Sequence, residues 1–345
     1  NEDLAGIAKH VEITELIAHA TKSGVNADLV FEMIVSALRM ARDHADRGDM
    51  KIASAALKEL RYSFSVFHPY RDQRKVSIFG SARTLPDDPL YDQTRRFAAA
   101  MSARGWMVIT GAGPGIMSAG IEGAGAENAF GVSIRLPFEA ATSEFIADDP
   151  KLINFRYFFT RKLTFLKESH GFALLPGGFG TLDETFELLT LVQTGKAVPV
   201  PIVLLDVPGG TYWQSFHDFI ATELVGRGYV LPVDPGLGCV TDDVATAVTE
   251  ITNFYANYHS LRFVEGDLVM RMRRLPPPGE IDRLNEDFAD IVARGRIEEV
   301  APSEVEIQSH DHVGLERLAF RFNRYGWTRL RQLIDRLNAV PFSDE

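Results

Sequence analysis

The stretch Phe172–Glu187, FALLPGGFGTLDETFE, decides the reading of this chain. Phe172-Ala173-Leu174-Leu175 is a short apolar run that stops at a proline and three glycines, the pattern of a buried strand. Thr181-Leu182-Asp183-Glu184 then opens a helix expected over Thr181–Thr194, with Gly195 at its end. A strand passing through a glycine loop into a helix aims free backbone N–H groups and the positive helix end at one point, which makes an anion site. A carboxylate one turn into the helix, Glu184, faces whatever is bound there. The same residues also fit a purely structural capping box, in which Thr181 caps the helix and Glu184 reaches back to the cap's N–H. Two adjacent glycines and a third two residues on exceed what such a cap needs, because they let a ligand approach the backbone closely.

Working outward, Val76–Phe79 reads as a strand ending in Gly80-Ser81, and Trp106–Thr110 as one ending in Gly111-Ala112-Gly113-Pro114-Gly115. Gly131–Leu136 and Val200–Asp206 read as further strands, while Tyr91–Arg104, Ile116–Asn128, Lys162–Ser169 and Trp213–Arg227 carry helical spacing. Short strands alternating with helices imply an α/β fold, a doubly wound parallel sheet of Rossmann-like type over residues 71–260. Ligands of such sheets bind beyond the carboxyl ends of the strands, so the three glycine loops are expected on one edge. Residues 1–70 form an expected helical N-terminal region, with helices at Val11–Ala20, Leu29–Ala45 and Ile52–Ser65 and a stop at Pro69. Residues 261–345 read as a small α+β appendage: a strand at Asp267–Leu275, a rigid break at Pro276-Pro277-Pro278-Gly279, and helices at Ile281–Arg294 and Val313–Leu337, the last interrupted near Tyr325-Gly326.

The bulk properties narrow the partners. The 345 residues carry a net charge of −11, and 46 % are apolar, an ordinary share for a globular chain. A basic stripe is the usual footprint of nucleic-acid or anionic-membrane binding, so neither is an expected partner; a local basic pocket for a small phosphate ligand stays open. Cys239 is the single cysteine, which excludes an intramolecular disulfide and a Cys-rich zinc site and fits a reducing compartment. No apolar run approaches the roughly 18 residues of a spanning helix. Asn1-Glu2-Asp3 lacks the basic and apolar regions of a signal peptide, so a cytoplasmic location is expected.

Several motifs are excluded by single residues. Gly111–Ile116 fails the dinucleotide fingerprint, because Ile116 stands where a sixth-position glycine is needed, and Arg135-Leu136-Pro137 offers no acid for a ribose hydroxyl. There is no GxxxxGK[ST] stretch. No cofactor is expected, and no metal, since no HxxxH-type cluster exists and His310 and His312 fall in an expected loop. Arg161-Lys162 is different. It follows the aromatic run Tyr157-Phe158-Phe159 at a helix start, where cations are unfavourable unless an anion is near. Arg holds phosphate through paired hydrogen bonds, although such a pair also occurs as surface decoration.

With these residues in hand, the chain resembles the LOG ("Lonely guy") phosphoribohydrolases in their longer bacterial form, often labelled lysine decarboxylase-like. Pro176–Glu184 fits the family's PGGxGTxxE signature, Phe158–Lys162 its Arg-Lys signature, and Val76–Ser81 and Ile109–Met117 its two N-terminal glycine turns. The resemblance covers roughly residues 71–255. It implies a Rossmann-like fold, a homo-oligomer of at least two subunits, and hydrolysis of the N-glycosidic bond of nucleoside 5′-monophosphates, of the AMP or cytokinin riboside type, to free base and ribose 5-phosphate. It further implies Arg161 and Glu184 as the catalytic pair and Gly177, Gly178, Gly180 and Thr181 as the phosphate loop. Gly80, Ser81, Gly111, Gly113, Gly115, Met117 and Lys162 are the expected further substrate contacts. Ser118 departs from the family's usual Glu after the Gly-Ile-Met turn. Such cleavage develops positive charge on the sugar, which an ionised Glu184 would stabilise; Glu187 lies one turn on along the same face, and Asp183 points about 100° away. Two other readings use the same residues: a nucleotide-binding regulatory protein without turnover, and a pyridoxal-phosphate enzyme, for which Lys162 beside Arg161 is poorly placed.

Overall fold

Seven short strands form the parallel sheet that this alternation implies. In the computed structural model these are β1 (Lys75–Phe79), β2 (Met107–Thr110), β3 (Ala129–Ile134), β4 (Leu152–Phe155), β5 (Gly171–Leu174), β6 (Ile202–Leu205) and β7 (Cys239–Thr241). The structure describes Glu15, Ile17, Ala18, Thr21, residues 26–135 and residues 143–340. Most of the expected helix Val11–Ala20, and Leu136 at the end of an expected strand, lie outside them. The strand order is β4-β3-β2-β1-β5-β6-β7, with every neighbouring pair parallel. The chain steps outward from β1 through β4, then returns to β5 on the other side of β1. That reversal leaves a crevice beyond the carboxyl ends of β1 and β5, where open α/β sheets bind ligands.

The helices covering the sheet are α3 (Pro89–Ser102), α4 (Ile116–Ala124), α5 (Phe158–Glu168), α6 (Phe179–Gln193), α7 (Tyr212–Phe219) and α8 (Val244–Asn253). Successive strand residues face opposite layers. Val76, Ile78 and Val108 pack with Phe97, Met101, Val248 and Ile251 on one side. Phe79, Met107, Ile109 and Phe130 pack with Phe165, Leu188 and Val192 on the other. β1, β2, β5 and β6 are buried along their whole length, which is why they read as unbroken apolar runs rather than alternating ones. Caps set several helix starts: Asp88 accepts from the Leu90 N–H at 2.8 Å with Pro89 next, and Asp243 accepts from the Thr246 N–H at 2.7 Å.

Two compact units divide the chain, residues 1–61 and 62–345. The first holds α1 (Ala27–Arg42) and the start of α2 (Arg47–Phe67), which Asp46 opens by accepting from the Gly48 and Asp49 N–H groups. In the second, Phe67 at the end of α2 stacks on Phe130 of β3 with ring centroids 4.3 Å apart.

After α8 comes a four-stranded antiparallel sheet, β10-β11-β9-β8, built from β8 (Tyr258–Val264), β9 (Asp267–Met272), β10 (Val292–Glu299) and β11 (Glu316–Phe322). Helices α9 (Pro278–Asp287), α10 (Glu304–Gln308) and α11 (Trp327–Asn338) accompany it. Two helix expectations are corrected here. The segment Ile281–Arg294 ends as helix at Asp287 and enters β10, and the first part of Val313–Leu337 is strand β11. Leu315, Leu318, Ala319 and Phe322 have helical spacing, but Leu318, Phe320 and Phe322 also alternate, and pairing with β9 decides the competition. Leu318, Phe320 and Phe322 thereby join Met270, Leu330 and Leu333 in a third core.

Candidate active site

The three glycine turns meet at the crevice. The Ser81 N–H donates to the Pro176 carbonyl at 3.2 Å, and the Ile116 N–H donates to the Ser81 carbonyl at 3.0 Å, so the turns after β1, β2 and β5 are hydrogen-bonded together. A cleft of about 1080 Å³ opens above them. Gly80, Ser81, Gly111, Gly113, Met117, Arg161, Gly177, Gly178, Gly180, Thr181 and Glu184 all line it. Gly115 and Lys162 do not. Gly115 has φ +68°, and a Cβ there would collide with the Ser81 carbonyl oxygen, so it serves the close packing of two turns. Ser118 also stands off the lining; its hydroxyl meets that of Ser143 at 2.8 Å.

The helix α6 starts at Phe179, two residues before the expected Thr181, and Gly178 is its N-cap with no side chain capping it. The capping-box reading of Thr181 and Glu184 is therefore overturned: both lie inside the helix, and Thr181 instead passes its carbonyl to the Thr185 hydroxyl at 2.7 Å. The first amides of α6 have no intrahelical acceptor, as at any helix start, and no side-chain cap. A Cβ on Gly178 or Gly180 would meet nothing within 4 Å, whereas one on Gly177 would strike the Thr181 side chain. The glycines thus divide: Gly177 is small for packing, and Gly178 and Gly180 leave open space over the helix end.

Arg161 and Lys162 stand one turn inside α5, which begins at Phe158 rather than at Lys162. Arg161 is buried, its Nε donates to the Val132 carbonyl at 2.8 Å, and its guanidinium lies 5.2 Å from the Phe165 ring centre. Gly111 makes room for it, since a Cβ there would come within 2.5 Å of the guanidinium. The guanidinium reaches Glu184 Oε1 at 3.7 Å. Lys162 lies behind Glu184, 2.7 Å from Asp183, 2.9 Å from Glu187 and 3.7 Å from Glu184 Oε2. Burial opposes the charge on Lys162, but its hydrogen bonds to Asp183 and Glu187 outweigh that and hold its pKa at about 12.

Glu184 is the unusual group. Its side chain is 10 % exposed, and Oε2 is buried without a hydrogen-bond partner among the described residues. Burial pushes its pKa above the ordinary carboxylate value against the pull of Arg161 and Lys162, with Asp183 and Glu187 adding to the rise. A carboxylate kept unsatisfied beside two cations at the head of an open cleft is poised to meet developing positive charge or to take a proton.

Sequence reasoning did not find Tyr212, Arg83, Arg135 or Asn154, which also line the cleft. Tyr212 follows the turn after β6, whose Gly209-Gly210 was a readable sign of a fourth loop at this edge. Arg83 and Arg135 follow β1 and β3 and make the cleft locally basic in a chain of net charge −11. Among the described residues no group of three or more His, Cys, Asp or Glu could hold a metal ion, and no helix is long and apolar enough to cross a membrane.

Comparison with known proteins bears on this geometry. Residues 114–251 match a family model described as "Possible lysine decarboxylase". A probable cytokinin riboside 5′-monophosphate phosphoribohydrolase of Arabidopsis thaliana is 40 % identical over 72 residues, which are 21 % of this chain and 34 % of the relative. The match thus spans about a third of the plant relatives' own length. A cytokinin riboside 5′-monophosphate phosphoribohydrolase of Mycobacterium tuberculosis is 29 % identical over 46 % of this chain and 83 % of its own. Among solved structures, the molybdenum cofactor carrier protein of Chlamydomonas reinhardtii is similar at 19 % identity and a TM-score of 0.35, over 52 % of this chain and 96 % of that one. The family match, which spans the glycine loop and the Arg-Lys pair, and the plant and bacterial relatives support a likeness of this chain to the LOG family.

Proposed function

We propose that this chain hydrolyses the N-glycosidic bond of nucleoside 5′-monophosphates, giving the free base and ribose 5-phosphate. The observation that carries the reading is Glu184: a buried carboxylate with one oxygen that takes no hydrogen bond among the described residues, beside Arg161 and next to the uncapped start of α6. The 5′-phosphate would sit on the N–H groups of Gly178–Thr181 at the positive helix end. The ribose would then lie over Glu184. As the C1′–N bond breaks, its electron pair leaves with the base and the sugar becomes oxocarbenium-like, which the carboxylate stabilises. Water adds at C1′, Glu184 takes its proton, and that proton passes on to the departed base, which restores the carboxylate. Arg161 supports the departing base by hydrogen bonds, since a guanidinium does not give up its proton.

The names of the plant and mycobacterial relatives favour a cytokinin riboside monophosphate, and AMP shares the reacting bond. A lysine Schiff base is disfavoured because Lys162 is held charged by Asp183 and Glu187. We further propose a homo-oligomer of at least two subunits acting in the cytoplasm, on the family likeness. The test is incubation with AMP, GMP, CMP and isopentenyladenosine monophosphate, followed by detection of free base and ribose 5-phosphate. Release from at least one is expected, and Glu184→Gln should abolish it while still binding the nucleotide. Tight nucleotide binding with no product from any of them would instead establish a regulatory protein without turnover.

A further inference from the structure

Two successive carbonyls of the glycine loop are tied down from opposite sides of β5. The Pro176 carbonyl accepts from the Ser81 N–H, in the turn after β1, at 3.2 Å. The Gly177 carbonyl accepts from the Tyr212 hydroxyl, after β6, at 2.7 Å. β1 and β6 are the two neighbours of β5. The peptide between Gly177 and Gly178 joins two residues without Cβ, so its plane is the least restrained in the loop. In a trans peptide the N–H points opposite to the C=O. Holding the Gly177 oxygen against Tyr212 therefore aims the Gly178 N–H away from Tyr212. Gly178 is the uncapped N-cap of α6, so its amide belongs to the group a bound anion would use.

Tyr212 is itself fixed. Its backbone N–H donates to Asp206 Oδ2 at 3.0 Å, and the Val207 N–H donates to Asp206 Oδ1 at 2.8 Å. The Asp206 carbonyl accepts from Gln93 Nε2 of α3 at 3.0 Å, and Asp206 is 5 % exposed. The Tyr212 ring stands edge-on to the buried Trp213, with centroids 4.8 Å apart.

We propose that Tyr212 is a positioning residue of the anion site: through the Gly177 carbonyl its hydroxyl locks the 177–178 peptide so that the loop amides converge on the substrate's phosphate. This rests on the reading of the loop as a phosphate seat. Tyr212→Phe removes the hydroxyl and keeps the ring. The expected result is AMP and ribose 5-phosphate bound roughly five- to tenfold more weakly by calorimetry, the size of one lost hydrogen bond. KM for AMP should rise in proportion, kcat should stay within about twofold, and the affinity for ribose, which has no phosphate, should match that of the wild type. Unchanged affinity for ribose 5-phosphate would overturn the proposal, and so would a kcat loss with unchanged KM. Should Tyr212→Phe lower Tm by more than a few degrees, Asp206→Asn, which loosens Tyr212 from behind, is expected to shift KM in the same direction; no shift there counts against the lock. Failure of the phosphate-seat reading is seen separately, as wild-type protein that binds neither AMP nor ribose 5-phosphate.

Discussion

Glu184 is under two opposing demands. Burial favours its neutral form, while Arg161 and Lys162 favour the charged form, and burial prevails. If the ionised form is the working one, activity fades on the acid side at a higher pH than an ordinary carboxylate would give. The acid limb of kcat for AMP is therefore expected above the ordinary carboxylate range, and a limb within or below that range would remove Glu184 from the chemistry. Linkage gives a companion expectation. A carboxyl whose folded pKa is raised weakens the fold above that pKa and not below its unfolded value. Glu184→Gln should therefore gain stability relative to wild type as pH rises from 4 to 8, staying within about 1 kcal/mol of it, while turnover falls at least ~100-fold. Denaturant midpoints at both pH values and a product assay check the two halves independently. A cap residue would show the reverse, losing stability and sparing catalysis.

At the scale of the element, the start of α6 separates what spacing reveals from what it hides. That a strand, a glycine loop and a helix follow one another over Phe172–Glu187 was legible, because apolar run, glycines and helix formers each have a local physical cause. The helix's true first residue was not: Thr181 is the better cap by side chain, yet the backbone turns helical at Phe179. Pro176 and Gly177, just before that start, are tethered by Ser81 and Tyr212, residues far along the chain. Tyr212 escaped notice for the same reason, as did strand β11, whose spacing fits helix and strand alike until β9 lies beside it. The glycines allow a direct test. Gly180→Ala places a methyl in empty space at a helical position and should stabilise by about 0.5–1 kcal/mol. The same methyl stands over the helix end, so AMP binding should weaken by roughly tenfold or more. Gly177→Ala drives a Cβ into Thr181 and should destabilise by about 1–3 kcal/mol. Thermal melts beside AMP titrations of the two variants read the contrast, and a Gly180→Ala protein with wild-type affinity would show that nothing binds at that end.

Across the whole molecule, the strands that frame the crevice are joined at their far ends by a histidine. The Lys75 N–H at the start of β1 donates to His170 Nδ1 at 3.2 Å, and the His170 N–H donates back to the Lys75 carbonyl at 2.7 Å. The Tyr255 hydroxyl donates to the His170 carbonyl at 2.8 Å, on the way from α8 to the second sheet. An imidazole that accepts at Nδ1 from a backbone N–H must leave that nitrogen unprotonated. Burial, with Arg74, Lys75 and His259 adding like charge, lowers the His170 pKa to about 4. The unfolded chain takes up this proton near pH 6.5 and the folded one near 4, so the stability His170 supplies is complete above 6.5 and is lost as pH falls through that window. Between pH 7 and 5 the loss is about 2 kcal/mol from this one group. His259 moves in the same direction, lowered to about 4 by burial and by His312, so it contributes to the same acid slope. His170→Asn keeps an acceptor for the Lys75 N–H and cannot titrate. Urea unfolding at pH 7 and pH 5 should show the variant losing clearly less stability than wild type over that interval. Equal losses would mean that the junction of β1 and β5 is not what acid attacks, and that the slope belongs to His259 and the carboxylates.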